Sequence, residues 1–328
     1  MLFSRTKLMQ WRDLINVSPV FEDPEVLAGR KAEDFLTRIV ESNLKYKGVH
    51  CFVGKRVPCP EKSRRYEIDL IVLTKKQLHV IEVKNWSGSL VEENGQWIQH
   101  KLNGQSIEHD NLTDHNSAKL QSLQDYLQKH DIHIDPSYIS QKVVLINPRL
   151  KISPQIQSDP NVIPRSHLDH YLQSQKGASF SERMLHSVIE SCTSSETGSI
   201  LLDGLFKAMP RKQLKRTIEA LGSLRTWDLI GLHGGKILQG DARRISIGGQ
   251  RFELEPLQRD EKIELRWKRG KLSSLFSSCV MNFAFGKTKL QKRSYRLNPL
   301  EDHILFHKAG NPQISQIDLK QIEWIKRG

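Results

Sequence analysis

The stretch from Tyr66 to Asn85, YEIDLIVLT-KK-QLHVIEVKN, decides the fold of this chain. Its two arms are rich in aliphatic and β-branched residues, and the pair Lys75 and Lys76 separates them. This pattern is typical of an antiparallel β-hairpin with a two-residue loop. Because both faces of each arm carry mostly apolar residues, we expect two central strands that are covered on both sides.

Four charged residues of the hairpin fall into opposed pairs. With a two-residue loop, Asp69 lies opposite Glu82, and Glu67 lies opposite Lys84. Residues that are directly opposed across an antiparallel pair project to the same face of the sheet. The register therefore predicts that all four charged side chains share one face, near the open end of the hairpin.

The residue types in this cluster point to metal chemistry. Two carboxylates in an apolar setting are costly unless a cation compensates their charge. Hard oxygen ligands with room for water and phosphate oxygens suit Mg²⁺ or Mn²⁺. Lys84 lies two residues beyond Glu82, where its ammonium group can orient an attacking water or stabilise charge on phosphorus. Asp69, Glu82 and Lys84 are thus candidate catalytic residues for metal-assisted phosphodiester hydrolysis.

A third carboxylate comes from an upstream helix. Asp23-Pro24-Glu25 predicts a helix start, with an N-cap carboxylate and a proline in the first turn, and the helix is expected to end near Leu44. Glu33 shares a face with the core residue Leu36, and Gly29 lies one turn earlier on that face. We therefore expect Glu33 to pack against the catalytic face and to join the metal site.

A solvated sheet edge, whose charges merely pair with one another, is the alternative interpretation of the hairpin. The apolar flanks and the position of Glu33 favour the metal site over that alternative. For Glu67 two roles stay open, a catalytic one and a structural one as the ion-pair partner of Lys84.

At these residues the sequence resembles a known family. Glu67-Ile-Asp69 and the run Val80-Ile-Glu82-Val-Lys84-Asn-Trp-Ser-Gly88 look like the core of the nuclease-related domain (NERD), a branch of the PD-(D/E)XK nuclease superfamily. Gly29-Arg-Lys-Ala-Glu33 is similar to the family's glycine-and-glutamate helix motif. The resemblance covers residues 25–150, and its most specific part is the stretch from Lys84 to Gly88.

The resemblance implies roles for individual residues. Asp69 and Glu82 would bind the metal together with the backbone carbonyl of Val83, Lys84 would be the catalytic lysine, and Glu33 would complete the acidic set. The implied cofactor is Mg²⁺ or Mn²⁺.

The chain departs from the family pattern at two places. Ala32 stands where a second glycine is usual, and Asn111-Leu-Thr-Asp-His115 stands where the family often has Asn-Pro-x-x-Gln. No role is therefore carried over from that glutamine.

Helices and strands alternate over residues 1–150, which predicts an α/β fold with a PD-(D/E)XK nuclease-like central mixed sheet flanked by helices. Three prolines among polar residues from Ser153 to Pro164 predict a surface connection after it. Helices are expected over Phe180–Cys192 and Leu201–Leu221. Short apolar segments and Gly-Gly pairs beyond residue 226 predict a second, basic, β-rich domain. The expected division is an N-terminal extension (1–24), a nuclease-like domain (25–150), a connecting helical segment (151–197) and a basic α+β or β-rich domain (198–328).

The formal net charge of +13 is unevenly spread along the sequence. Residues 1–178 hold 24 Lys and Arg against 21 Asp and Glu, whereas residues 179–328 hold 26 against 16. A basic region beside a near-neutral one suggests contact with nucleic acid. Lys212, Lys215 and Arg216 give a predicted helix a basic side and are candidate nucleic-acid-binding residues.

The predicted function is that of a Mg²⁺-dependent phosphodiesterase, a nuclease that hydrolyses DNA with a metal-activated water, in DNA processing or defence against foreign DNA. A non-catalytic nucleic-acid-binding or adaptor protein that uses the nuclease fold as a scaffold is one alternative, and RNA as substrate is another. No apolar run approaches the roughly 18–20 residues of a membrane-spanning helix, so no membrane partner is expected. Scattered cysteines without a CxxC pair favour reduced thiols in a cytoplasmic protein.

Overall fold

A computed structural model describes residues 12, 17–44, 48–59, 65–174, 209–254, 262–267, 278–284, 291–296 and 301–328. The chain forms two compact units. One is Leu27–Thr226, and the other combines Met1–Val26 with Trp227–Gly328. The predicted helix Phe180–Cys192 and the first part of the predicted helix Leu201–Leu221 lie outside the described residues.

The core of the first unit is a five-stranded sheet in the order β1-β2-β3-β7-β9. Its strands are β1 His50–Pro58, β2 Arg65–Leu73, β3 Leu78–Lys84, β7 Ile139–Leu145 and β9 Val162–Pro164. Pairing is antiparallel from β1 to β3 and parallel from β3 through β7 to β9. The sheet is therefore mixed, as the alternation of predicted elements indicated.

A smaller sheet in the same unit has the order β6-β5-β4-β8. Its strands are β4 Ser89–Glu93, β5 Gln96–His100, β6 Ser106–His109 and β8 Lys151–Ile152. Asn94-Gly95 makes the turn between β4 and β5, with positive φ at both residues, as is typical of a two-residue hairpin loop.

Helices cover both faces of the five-stranded sheet. The described helices of this unit are α1 Pro24–Leu44, α2 Leu112–Gln128, α3 Pro154–Ser158, α4 Arg165–Ser174 and α5 Arg211–Ser223. The Asp23 carboxylate accepts a hydrogen bond from the Glu25 N–H at 2.8 Å, which confirms the predicted helix start. No helix among the described residues is long and apolar enough to cross a membrane.

Two hydrophobic layers hold these helices on the sheet. On one face Leu36 of α1 and Leu168 of α4 pack in a cluster with Leu70 and Ile81. On the opposite face α2 and α5 pack in a cluster with Ile71. Burying a leucine or isoleucine stabilises a fold by roughly 1.5–3 kcal/mol, so these layers fix β2 and β3 at the centre of the unit.

The observed domain boundaries differ from the predicted ones. Val162 and Ile163, predicted to lie in a surface connection, are buried in β9 because this segment forms an edge strand of the sheet. Leu221 of α5 is fully buried in the first unit, so the predicted boundary near residue 198 is wrong for this helix. The N-terminal segment, predicted to be an extension, is part of the second unit. The Val20 N–H donates to the His233 carbonyl, and the Val20 carbonyl accepts from the Lys236 N–H.

The described strands of the second unit pair antiparallel throughout. A six-stranded sheet has the order β17-β16-β11-β10-β18, with β12 paired to β11. Its strands are β10 Asp228–Leu232, β11 Ile237–Ile247, β12 Gln250–Glu253, β16 His303–Lys308, β17 Ile314–Asp318 and β18 Ile322–Lys326. A three-stranded sheet consists of β13 Lys262–Trp267, β14 Ser278–Ala284 and β15 Gln291–Arg296.

Both units carry an excess of basic residues. The first unit holds 28 Lys and Arg against 22 Asp and Glu, and the second holds 22 against 15. The charge excess is therefore +6 and +7. The second unit has 128 residues and the first has 200, so the second is the more basic for its size.

Candidate active site

The β2–β3 hairpin has the predicted register at its closed end. The Thr74 N–H donates to the Gln77 carbonyl at 2.8 Å, so Lys75 and Lys76 form the two-residue loop. The described pairs run from Leu73 opposite Leu78 to Leu70 opposite Ile81.

The two strands separate just beyond that last pair. Asp69 does not continue the ladder opposite Glu82; instead its Oδ2 accepts a hydrogen bond from the Val83 N–H at 2.8 Å. On the other side of β2, Gly54 has φ +59° and interrupts the regular pairing between β1 and β2 next to Asp69. The β2–β3 ladder ends here because the Asp69 side chain, and not a backbone carbonyl of β2, accepts the hydrogen bond of the Val83 N–H.

The predicted pairing of Glu67 with Lys84 is also corrected. Glu67 lies opposite Arg56 of β1, not opposite Lys84 of β3. The β2–β3 ladder has already ended at Leu70, so the regular alternation assumed from the sequence does not reach these residues.

Glu82 is buried and is held by two lysines. Lys84 Nζ lies 2.7 Å from its Oε1, and Lys119 Nζ of α2 lies 2.5 Å from its Oε2. Burial disfavours the charged carboxylate, but the ammonium groups of Lys119 and Lys84 outweigh it and lower the pKa of Glu82. Burial likewise opposes the charge on Lys84, yet the carboxylates of Glu82 and Asp69 raise its pKa. Glu82 and both lysines thus form a charged cluster.

Asp69 behaves differently from Glu82. Burial, reinforced by the negative charge of Glu82, raises the pKa of Asp69 to about 7. The lysines and the Val83 N–H act in the opposite direction without cancelling the effect. A nearby carboxylate and a low-dielectric setting make the Asp69 anion sensitive to any added cation.

Glu33 belongs to the same electrostatic cluster. The Asn85 side chain donates from Nδ2 to the Ala28 carbonyl at 3.1 Å, which ties the end of β3 to the first turns of α1. Burial, followed by the charge of Glu67, raises the pKa of Glu33 to about 7, and Lys84 and Glu82 also act on it. α1 packs on the face of the sheet opposite to the one that α2 and its Lys119 cover, so the prediction that this helix packs against the catalytic face is wrong. Glu33 joins the cluster through its charge, which acts with those of Lys84 and Glu82.

The carboxylates do not form a ready-made cage. No three His, Cys, Asp or Glu side chains in the described part of the chain converge closely enough to hold a metal ion by themselves. Mg²⁺ usually takes one or two protein carboxylates and completes its shell with water and phosphate oxygens. Asp69 and Glu82 fit that requirement, with the Val83 carbonyl as the predicted backbone ligand and Glu33 as a further carboxylate of the same cluster.

The stretch Lys84–Gly88 links β3 to the smaller sheet. The Trp86 ring stacks on His109 of β6, with ring centroids 4.0 Å apart. The Ser87 carbonyl accepts a hydrogen bond from Gln99 Nε2 at 2.8 Å. Gly88 has φ +90°, and a Cβ at this position would collide with the His100 carbonyl oxygen. This stretch therefore anchors the end of β3, which carries Lys84, to the smaller sheet.

Lys119 is the residue of this cluster that was not predicted from the sequence. It lies on the buried face of α2 together with Asn116, Leu123 and Leu127. That spacing places a lysine on an otherwise core-facing stripe, which is the same signal that identified Glu33 on α1. The same comparison of helical faces, made for the second helix, would have found it.

The predicted nucleic-acid-binding residues are gathered on α5. Lys212, Lys215 and Arg216 are all exposed on this helix. The Arg216 guanidinium donates to the His130 carbonyl at 3.0 Å, so part of its hydrogen-bonding capacity serves the loop after α2. These residues belong to the first unit, not to the C-terminal domain in which they were predicted.

Comparison with known proteins agrees with the resemblance found in the sequence. Residues 28–146 match the family model described as the nuclease-related domain. The matched segment contains Glu33, Asp69, Glu82, Lys84 and Lys119. No curated protein and no solved structure matches the chain.

Proposed function

We propose that the nuclease-related domain, residues 28–146, is the catalytic core of a Mg²⁺- or Mn²⁺-dependent nuclease that hydrolyses DNA phosphodiester bonds. The observation that carries this proposal is the cluster at the open end of β2 and β3. It combines the half-buried carboxylate of Asp69 and the buried carboxylate of Glu82 with the charged ammonium group of Lys84. A nuclease-related domain without such a cluster would support only nucleic-acid binding.

In this proposal Asp69 and Glu82 hold the metal, helped by the Val83 carbonyl and by Glu33. When bound, the cation supplies a Lewis acid that activates water and offsets negative charge on the phosphate. The carboxylates gain from it in turn, because burial disfavours the anionic forms of Asp69 and Glu33 when no cation is close.

Lys84 has a separate task. Its ammonium group is half-buried, so it can reach a phosphate oxygen or the attacking water while Glu82 fixes its direction. A preorganised charge of this kind favours the developing negative charge of the transition state more than it would in water. The Val83 N–H keeps Asp69 oriented toward the same place.

The alternative is a nucleic-acid-binding or adaptor protein without catalytic activity. One observation favours it: both oxygens of Glu82 are engaged by lysines, and no three-ligand metal cluster lies within the described ranges. In that case the cluster would be a structural ion-pair network, and α5 would supply a phosphate contact.

The test is cleavage of supercoiled plasmid, linear duplex and single-stranded RNA with Mg²⁺, Mn²⁺ or EDTA. We expect metal-dependent cleavage of DNA that Asp69→Ala abolishes, and plasmid products would separate endonuclease from exonuclease action. Cleavage of RNA alone would show that RNA, and not DNA, is the substrate. Binding without cleavage in either metal would favour the adaptor role.

A further inference from the structure

Lys119 is more deeply buried than Lys84, the other lysine bound to Glu82. Its side chain is only 6% exposed, compared with 29% for Lys84, although both ammonium groups contact the same carboxylate. Lys119 therefore lies behind Glu82, while Lys84 lies toward solvent. Two lysines in such different surroundings are suited to different tasks.

The position of α2 on the sheet is fixed one turn before Lys119. The Asn116 side chain is fully buried, and its Nδ2 donates to the carbonyls of Val80 and Lys142 at 3.2 Å each. These contacts tie α2 to β3 and β7 together. Because Lys119 follows three residues later on the same face, Asn116 sets the direction from which its ammonium group reaches Glu82.

The hydrogen bonds of Glu82 are divided between the two lysines. Lys119 holds Oε2 from the buried side, and Lys84 contacts Oε1 from the open side. The inner oxygen is thus fixed by a group that substrate cannot reach.

We propose that Lys119 is a positioning residue of the nuclease, which holds the Glu82 carboxylate by its inner oxygen and leaves the outer oxygen to Lys84 and the metal. This inference rests on the proposed function. Partners that orient a ligand without touching substrate have a characteristic effect, a loss of about 10–100-fold in activity or metal affinity on substitution. A purely structural ion pair would not change turnover in the folded enzyme.

Kinetics of the full-length protein on duplex DNA test the role of Lys119. Lys119→Met should lower kcat by about 10–100-fold and leave KM within about threefold, because the side chain does not contact nucleic acid. Lys119→Gln keeps a hydrogen-bond donor for Glu82, so its kcat should fall less than that of Lys119→Met. The glutamine variant also tests the proposal if the methionine variant fails to fold. Lys129→Met, exposed at the end of the same helix, is the matched control.

An unchanged kcat in folded Lys119 variants would overturn the proposal. So would a higher KM at constant kcat, since that would place Lys119 on the nucleic acid.

A second measurement separates this inference from the proposed nuclease activity. In protein labelled with ¹⁵N-lysine, the ammonium group of Lys119 should give a slowly exchanging NMR signal, assigned by its loss in Lys119→Met. Glu82→Gln should move that signal and Glu67→Gln should not. If the Lys119 signal responds in this way but the wild type cleaves no DNA, the Lys119–Glu82 ion pair is supported and the proposed nuclease activity is refuted. A Lys119 signal that is unchanged in the Glu82→Gln variant would contradict the positioning role.

Discussion

The Asp69 carboxylate accepts a hydrogen bond from the backbone N–H of Val83, at 2.8 Å, where the β2–β3 ladder ends. This contact replaces the backbone pairing that a regular hairpin would have at Asp69. It satisfies a donor of β3 and brings the carboxylate beside Glu82 at the same time. A single side chain thus opens the hairpin and forms part of the candidate metal site.

Asp69 should make the metal-free protein less stable as the pH rises. Its folded pKa is about 7, whereas the pKa of an unfolded aspartate is about 3.9, so between these values the folded state binds the extra proton. The contribution of Asp69 to stability is therefore highest at low pH and declines toward pH 7. At pH 8 in EDTA, Asp69→Asn should be more stable than wild type by about 1–3 kcal/mol in urea unfolding.

That gain should disappear near pH 4, where wild-type Asp69 is protonated. Asp34→Asn, at an exposed position of α1, is the control and should show no comparable gain. An Asp69→Asn variant that is less stable than wild type at pH 8 would contradict a destabilising charge on the Asp69 carboxylate.

Added Mg²⁺ should reverse the order of stability, so that the wild type becomes more stable than Asp69→Asn. A ligand that binds only the folded state stabilises it by about 1.4 kcal/mol at ten times its Kd. Wild type should gain such stability from Mg²⁺, and Asp69→Asn should gain much less because it lacks one proposed ligand. Equal shifts of the unfolding midpoint in both proteins would show that the cation binds elsewhere.

Gly88→Ala should damage the stretch that carries Lys84. The substitution meets two penalties, a left-handed backbone at φ +90° and a collision with the His100 carbonyl. Gly104→Ala is a matched control, because Gly104 has φ +84° and open space where a Cβ would lie. We expect about 1 kcal/mol of destabilisation at Gly104 and at least about 2 kcal/mol at Gly88, measured by urea unfolding. Similar losses at both sites would refute the close approach of Gly88 to the His100 carbonyl.

The exposed lysines of α5 should contribute to binding through phosphate contacts. Replacing Lys212 and Lys215 by alanine should weaken duplex binding and reduce the slope of log K against log salt by about two. Arg216→Ala should add a further loss, although this residue also bonds the His130 carbonyl. Lys308→Ala with Lys326→Ala removes equal charge from the second unit and is the control. An unchanged slope in the α5 variant would locate the phosphate contact elsewhere.

The sequence was sufficient to predict the hairpin and the start of α1, because these depend on local signals. Apolar alternation and the two-residue loop determine the closed end of the hairpin, and Asp23 with Pro24 determines the helix start. The contacts beyond Leu70 could not be predicted in this way. There the Asp69 side chain accepts the hydrogen bond of the Val83 N–H in place of a backbone partner. Regular pairing therefore no longer tells which residue lies opposite Glu67.

Two further features depended on tertiary context. The segment around Val162 contains prolines and polar residues, yet it pairs with β7 as an edge strand, where a proline at the strand end is tolerated. Lys119 resembles an ordinary surface residue unless its helical face is compared with Leu123 and Leu127. Long-range packing, rather than local propensity, decides both cases.

The most direct test of the central claim is cleavage of duplex DNA by Lys84→Ala in Mg²⁺, with DNA binding measured on the same protein. Lys75→Ala, exposed in the loop of the same hairpin, is the control for removal of a positive charge. We predict that Lys84→Ala loses cleavage by at least about 100-fold and keeps its affinity for DNA within a few-fold, while Lys75→Ala cleaves like wild type. Wild-type cleavage by Lys84→Ala would show that this cluster is not the catalytic centre.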